Sequence, residues 1–104
     1  MVYLIVTIKV VKDREAFRQY ADRVKVLIAK YQGRYLVSER KPEVREGEFP
    51  YARVVIVEFP SAEAVREWYD SAEYQAIIPL RRRAFEANIV VAREFSSTSA
   101  RALS

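Results

Sequence analysis

The sequence has neither cysteine nor histidine. Without cysteine there is no disulfide, thiol nucleophile or iron–sulfur ligation, and without histidine the commonest metal ligand and the usual general base near neutral pH are missing. Haem held by a proximal histidine is excluded, and a zinc site would need carboxylates alone, so no metal and no other cofactor is expected. Long apolar runs are also missing. The longest, Val2 to Val11, is interrupted by Lys9, follows the initiator Met without a basic flank and lacks a small-residue cleavage site. It reads as a retained strand of a cytoplasmic protein, not as a leader or a membrane span.

What is present is a globular balance. With 104 residues, 51% hydrophobic and 31% charged, the chain can bury one core but not two, which implies a single soluble domain. The net charge of +4 comes largely from arginine, with Asp and Glu interspersed, and only Arg81, Arg82 and Arg83 form a basic run. Cations in the last turn of a helix complement its dipole, so the run needs no anionic partner. Neither nucleic acid nor a membrane is expected as a partner.

Periodicity places the elements. Val2, Leu4, Val6, Ile8 and Val10 alternate with Tyr3, Ile5, Thr7 and Lys9, a strand with two partly apolar faces. Asp13 can cap a helix in which Phe17, Tyr20, Ala21, Val24, Leu27, Ile28 and Tyr31 recur at three- and four-residue steps up to Gly33. Arg34–Arg40 reads as a second strand, followed by a polar connection carrying Pro42, Gly47 and Pro50. Tyr51–Phe59 is the clearest strand, with Val55, Val57 and Phe59 on one face and Ala52, Val54, Ile56 and Glu58 on the other, stopped by Pro60. Ser61 caps a helix bearing Val65, Trp68 and Tyr69. Ser71 caps another with Tyr74, Ile77, Ile78, Arg81 and Phe85, which Pro79 is expected to kink or restart. Asn88–Phe95 closes the pattern, so the domain spans residues 1–95. Residues 96–104 form a Ser- and Ala-containing C-terminal tail expected to be flexible or to lie on a partner.

The order predicts an α+β, ferredoxin-like βαββαβ domain, a four-stranded antiparallel sheet with its helices on one face. The other face is left bare with Tyr3, Ile5, Val54, Ile56 and Glu58, more aliphatic surface than a monomer usually exposes. RNA-binding modules of this order stack bases on aromatic rings there, but Val54 and Ile56 stand at the stacking positions of the third strand. The simpler cover is a second copy packed face to face, a dimeric α/β barrel. A typical stable interface of about 1,500 Å² in total would suffice, with a higher oligomer left open.

The strings Gln32-Gly33-Arg34-Tyr35-Leu36-Val37 and Glu46-Gly47 resemble those of the domain-of-unknown-function family 1330. So do Val57-Glu58-Phe59-Pro60-Ser61-Ala62-Glu63, Trp68-Tyr69-Asp70-Ser71, Glu73-Tyr74-Gln75 and Pro79-Leu80-Arg81, in order and spacing. The resemblance covers most of residues 3–95 and implies the dimeric α/β-barrel fold, with no established activity. Two departures fall at turns or caps: Gln32-Gly33 where the family tends to show Gly-Gly, and Ser71-Ala72-Glu73-Tyr74 where it tends to show Ser-Pro-Glu-Tyr. Gln32 in place of a turn glycine can change how Arg34 is presented.

Glu58 is the candidate catalytic residue. Buried at the rim or floor of a cavity on the open face, its carboxylate could serve as general base toward a carbon acid or phenol. A structural ion pair with an arginine is the plainer reading. Arg34 and Arg81 could each hold an anion through a planar guanidinium fork, or pair with Glu46, Glu58 or Glu73. Trp68, Tyr69 and Tyr74 could stack a planar ligand, although helical spacing favours packing for the first two. Two functions fit these residues. One is a cofactor-independent enzyme of isomerase, cyclase or oxygenase type acting on a small aromatic or anionic metabolite; the other is a non-catalytic dimeric binding or structural module.

Overall fold

The structure is a computed structural model that describes residues 1–95; the tail expected at 96–104 lies outside the described residues. Strands β1 (Val2–Val11), β2 (Arg34–Glu39), β3 (Arg53–Phe59) and β4 (Phe85–Arg93) form one sheet in the order β2-β3-β1-β4. Every neighbouring pair is antiparallel. Helix α1 (Arg14–Lys30) follows β1, and α2 (Ala62–Asp70) and α3 (Ala72–Ala84) link β3 to β4. The fold is therefore ferredoxin-like, with its helical layer on one face.

Local chemistry sets the helix ends. The Asp13 carboxylate accepts the Ala16 N–H at 3.0 Å, and the Ser61 hydroxyl accepts the Ala64 N–H at 3.1 Å. Ser71 serves two helices. Its hydroxyl accepts the Tyr74 N–H at 3.1 Å to open α3 and donates to the Trp68 carbonyl at 2.7 Å to close α2. The helical layer thus bends at Ser71, whereas α3 runs as one helix through Pro79, so the restart expected there does not occur. A proline forfeits one backbone bond, and Pro79 lies on the exposed side of a helix held from within by Tyr74, Ile77 and Ile78.

The close of α1 departs from the expected glycine stop. Helix α1 ends at Lys30; Gln32 and Gly33 donate their N–H groups to the Ala29 and Ile28 carbonyls at 3.1 and 2.8 Å. This is the double bond of a left-handed helix cap, and the residue with positive φ, +70°, is Gln32. Gly33 answers a different need, because a Cβ there would lie 2.5 Å from Ile28 Cγ2 and 2.9 Å from the Phe59 ring. The last strand also begins earlier than its pattern suggests. Phe85, expected on the helix, is already β4, and its extended backbone (φ −163°) ends α3 without a loop.

The core lies between the helices and one sheet face. Leu4, Ile8, Val57 and Phe59 of the sheet meet Tyr20, Val24 and Ile28 of α1, Val65 and Trp68 of α2, and Tyr74, Ile77 and Ile78 of α3. Burying each large side chain contributes about 1.5–3 kcal/mol. On the opposite face the register lines up Val37, Ile56, Ile5 and Val90 across all four strands. Among the described residues no helix covers that row, and Val90 is 54% exposed.

Candidate functional site

A cavity of about 230 Å³ opens between α1 and the helix-facing side of the sheet. Leu4, Val6 and Ile8 of β1 and Val55 and Val57 of β3 form its floor, and Phe17, Tyr20, Ala21 and Val24 of α1 its roof. Trp68 and Phe85 close it with aromatic rings, and Tyr35, Ser38 and Arg53 bring polar groups from β2 and β3. A bulge between Tyr35 and Val37 keeps Tyr35 and Ser38 both on the cavity side of β2. Among the described residues the lining holds no carboxylate.

A hydrogen-bonded chain backs the roof. The hydroxyls of Tyr20 and Tyr74 lie 2.8 Å apart, and Arg81 Nη1 donates to the Tyr74 hydroxyl at 2.8 Å. Burial, followed by the neighbouring Tyr74, raises the Tyr20 hydroxyl far above its ordinary range. Tyr35 is 37% exposed as a residue, yet desolvation, with Tyr74 second, pushes its hydroxyl up to about 12. Desolvation opposes the charge on Arg81, but the Tyr74 hydroxyl and a hydrogen bond that Arg81 donates to Tyr69 outweigh it and leave its pKa raised. The Trp68 ring packs at a tilt against Tyr74 at 4.3 Å and Phe59 at 5.8 Å, and meets Tyr69 edge-on at 5.8 Å. The Trp68 indole N–H is buried without a partner among the described residues, an arrangement that costs roughly 1–3 kcal/mol.

The candidates from sequence fall into two groups on opposite faces. Trp68, Tyr69, Tyr74 and Arg81 come together, with Trp68 lining the cavity and Tyr74, 0% exposed, reaching it through Tyr20. Glu58 and Arg34 come together on the open face, paired in register and bonded at 3.0 Å, with the Glu58 side chain 14% exposed. Tyr3 is the next residue along this row, and desolvation followed by the Glu58 charge raises its hydroxyl. Glu73 pairs with Lys30 at 2.7 Å, so Arg81 bonds tyrosines while a lysine takes that carboxylate. Tyr20, Tyr35 and Arg53 were not among the candidates from sequence. Arg53 did leave a signal there: it shares a face with Val55, Val57 and Phe59, where an arginine breaks the apolar alternation.

No group of side chains suited to hold a metal ion occurs among the described residues, and no helix of theirs is long and apolar enough to cross a membrane. Sheet order and helical layer together define a ferredoxin-like α+β protein. The chain belongs to the Domain of unknown function (DUF1330) family, whose pattern matches residues 1–95. No curated protein matches it. Among solved structures it is similar to RPA0582, a protein of unknown function from Rhodopseudomonas palustris. The identity is 15%, the TM-score 0.76, and the match covers 91% of this chain and 82% of that one. It is also similar to SnoaB, a cofactor-independent oxygenase from Streptomyces nogalater, with 12% identity, a TM-score of 0.66, and coverage of 92% and 94%. An ethyl tert-butyl ether d family protein from Bacillus halodurans shares 18% identity at a TM-score of 0.64, over 91% and 99% of the two chains.

Proposed function

We propose that the chain works as a homodimer joined through its open sheet faces, and that each copy binds a small planar aromatic metabolite in the cavity under α1. The observation that carries this reading is the cavity itself, apolar on floor and roof and walled by Trp68, with Tyr35, Ser38 and Arg53 bringing polar groups to its β2–β3 side. Its volume of about 230 Å³ is below the ~300–1,000 Å³ of drug-sized pockets, which suits a compact ring system.

The chain has one tryptophan, Trp68, so its fluorescence reports on the cavity directly. Titration with 3-phenylpropan-1-ol is expected to give a saturable change in Trp68 emission and a higher Tm. Ala21→Phe, which fills the roof, is expected to abolish both. No saturable change with the parent protein would defeat the reading.

One observation favours a second reading, a cofactor-independent enzyme. Glu58 is a largely buried carboxylate on the open sheet face, and in a chamber enclosed by the paired sheets it could act as a base, with Arg34 beside it to hold an anion. SnoaB, described as a cofactor-independent oxygenase, gives the fold a precedent for such chemistry. Glu58→Gln should then abolish turnover and leave folding intact. A variant within about twofold of the parent, a difference of roughly 0.4 kcal/mol, leaves Glu58 as a structural partner of Arg34.

A further inference from the structure

A second, wider groove of about 840 Å³ lies beside the cavity at the end of the sheet, and the two share Phe17 and Arg53 as lining residues. Five cationic residues line this groove, Arg14, Arg18, Arg40, Lys41 and Arg53, against a single carboxylate, Glu15. That carboxylate is already taken by Arg18 at 2.6 Å. Among the described residues Arg14, Arg40, Lys41 and Arg53 form no salt bridge. Arg53 is the junction. Its guanidinium lies over the Phe17 ring at 5.7 Å and donates to the Ser38 hydroxyl at 3.1 Å, which holds it between the apolar chamber and the basic groove. A guanidinium fixed by stacking and one hydrogen bond keeps donors free in a defined plane, the arrangement that receives a carboxylate or phosphate well.

We infer that the molecule bound in the cavity carries an anionic group on a short arm, and that Arg53, supported by Arg14, Arg40 and Lys41, receives that group in the basic groove. The inference rests on the small-molecule reading above and adds the charge and polarity of the ligand. The ring system occupies the chamber, and the acid projects past Phe17. Concentrated positive charge around one opening also speeds capture of an anion, an effect that weakens with salt.

A matched pair of probes separates the two ideas: 3-phenylpropanoate and 3-phenylpropan-1-ol share ring and arm and differ in charge. Trp68 emission titrations of the full chain at low salt should show the propanoate binding about tenfold more tightly, the scale of one charge-assisted hydrogen bond. The preference should shrink at high salt. Arg53→Met keeps an aliphatic stem over Phe17 and should bring the two affinities together. Arg40→Glu, on an exposed position that does not threaten folding, should lower the ratio as well. Equal binding of both probes by the parent protein overturns the inference and leaves the cavity reading standing. Saturation by neither probe overturns both. A preference for the propanoate that persists in both variants overturns the role of the groove and assigns the anion to Lys25, the other cation lining the chamber.

Discussion

Gln32 holds a backbone conformation that costs an L-residue about 1–2 kcal/mol, at the point where α1 turns back toward β2. Glycine removes that cost but makes the unfolded chain more flexible, so Gln32→Gly should stabilise the protein by roughly 0.5–1 kcal/mol. A rise of a few degrees in Tm would register it. At Tyr35 the expected effect is one of pH. Its hydroxyl ionises near 12 in the folded chain, against 10.0 for an unperturbed tyrosine. The folded state therefore holds a proton that the unfolded state releases between those values. The associated stability is intact below pH 10 and declines as pH rises toward 12. Urea midpoints measured across this window should fall, and the fall should be shallower in Tyr35→Phe.

Helices α2 and α3 depend on one hydroxyl, which caps one and closes the other. Ser71→Ala should cost about 1–2 kcal/mol in urea unfolding. Ser71→Asp should recover part of the loss, because a carboxylate can still accept the Tyr74 N–H but cannot donate to the Trp68 carbonyl. These caps were legible in the sequence because a capping bond spans only three residues, and the sheet faces were legible because alternation of side chains is geometric. The start of β4 at Phe85 was not: helix passes into strand without a glycine or proline to mark it. Nor was the cavity, whose existence depends on how α1 sits over the sheet. Trp68, Tyr69 and Tyr74 could be grouped from their place at the bend of the helical layer, whereas Arg81 read as an anion-holding partner of Arg34 and Glu58, from which the sheet separates it. The bond from Tyr74 to Tyr20 spans 54 positions, and no local pattern announces it. The pairing of Arg34 with Glu58 follows from strand register, which β2 leaves ambiguous because its bulge shifts the alternation by one residue.

For the whole molecule, the uncovered row of Val37, Ile56, Ile5 and Val90 makes self-association the expected state, and Ile56 sits within it. Ile56→Lys places a charge in a contact of typical size, about 800 Å² per copy, and should convert a dimer into monomer or insoluble protein by light scattering. A soluble dimer unchanged by the substitution would move the contact elsewhere. The bond between the Met1 ammonium and Glu94, at 3.4 Å, brings the first residue of the domain beside its last strand. The β1–β4 ladder, with nine paired positions, consequently joins the most distant parts of the chain, whereas β2–β3 pairs five positions across one loop. A circular permutant that runs from Phe95 through a short linker into Met1, and opens at the exposed loop around Gly47, exchanges the two. The longer ladder becomes a hairpin, and the shorter one becomes the late, distant closure. Mean sequence separation between contacts falls, so the permutant should refold faster than the parent in stopped-flow experiments while keeping the same sheet.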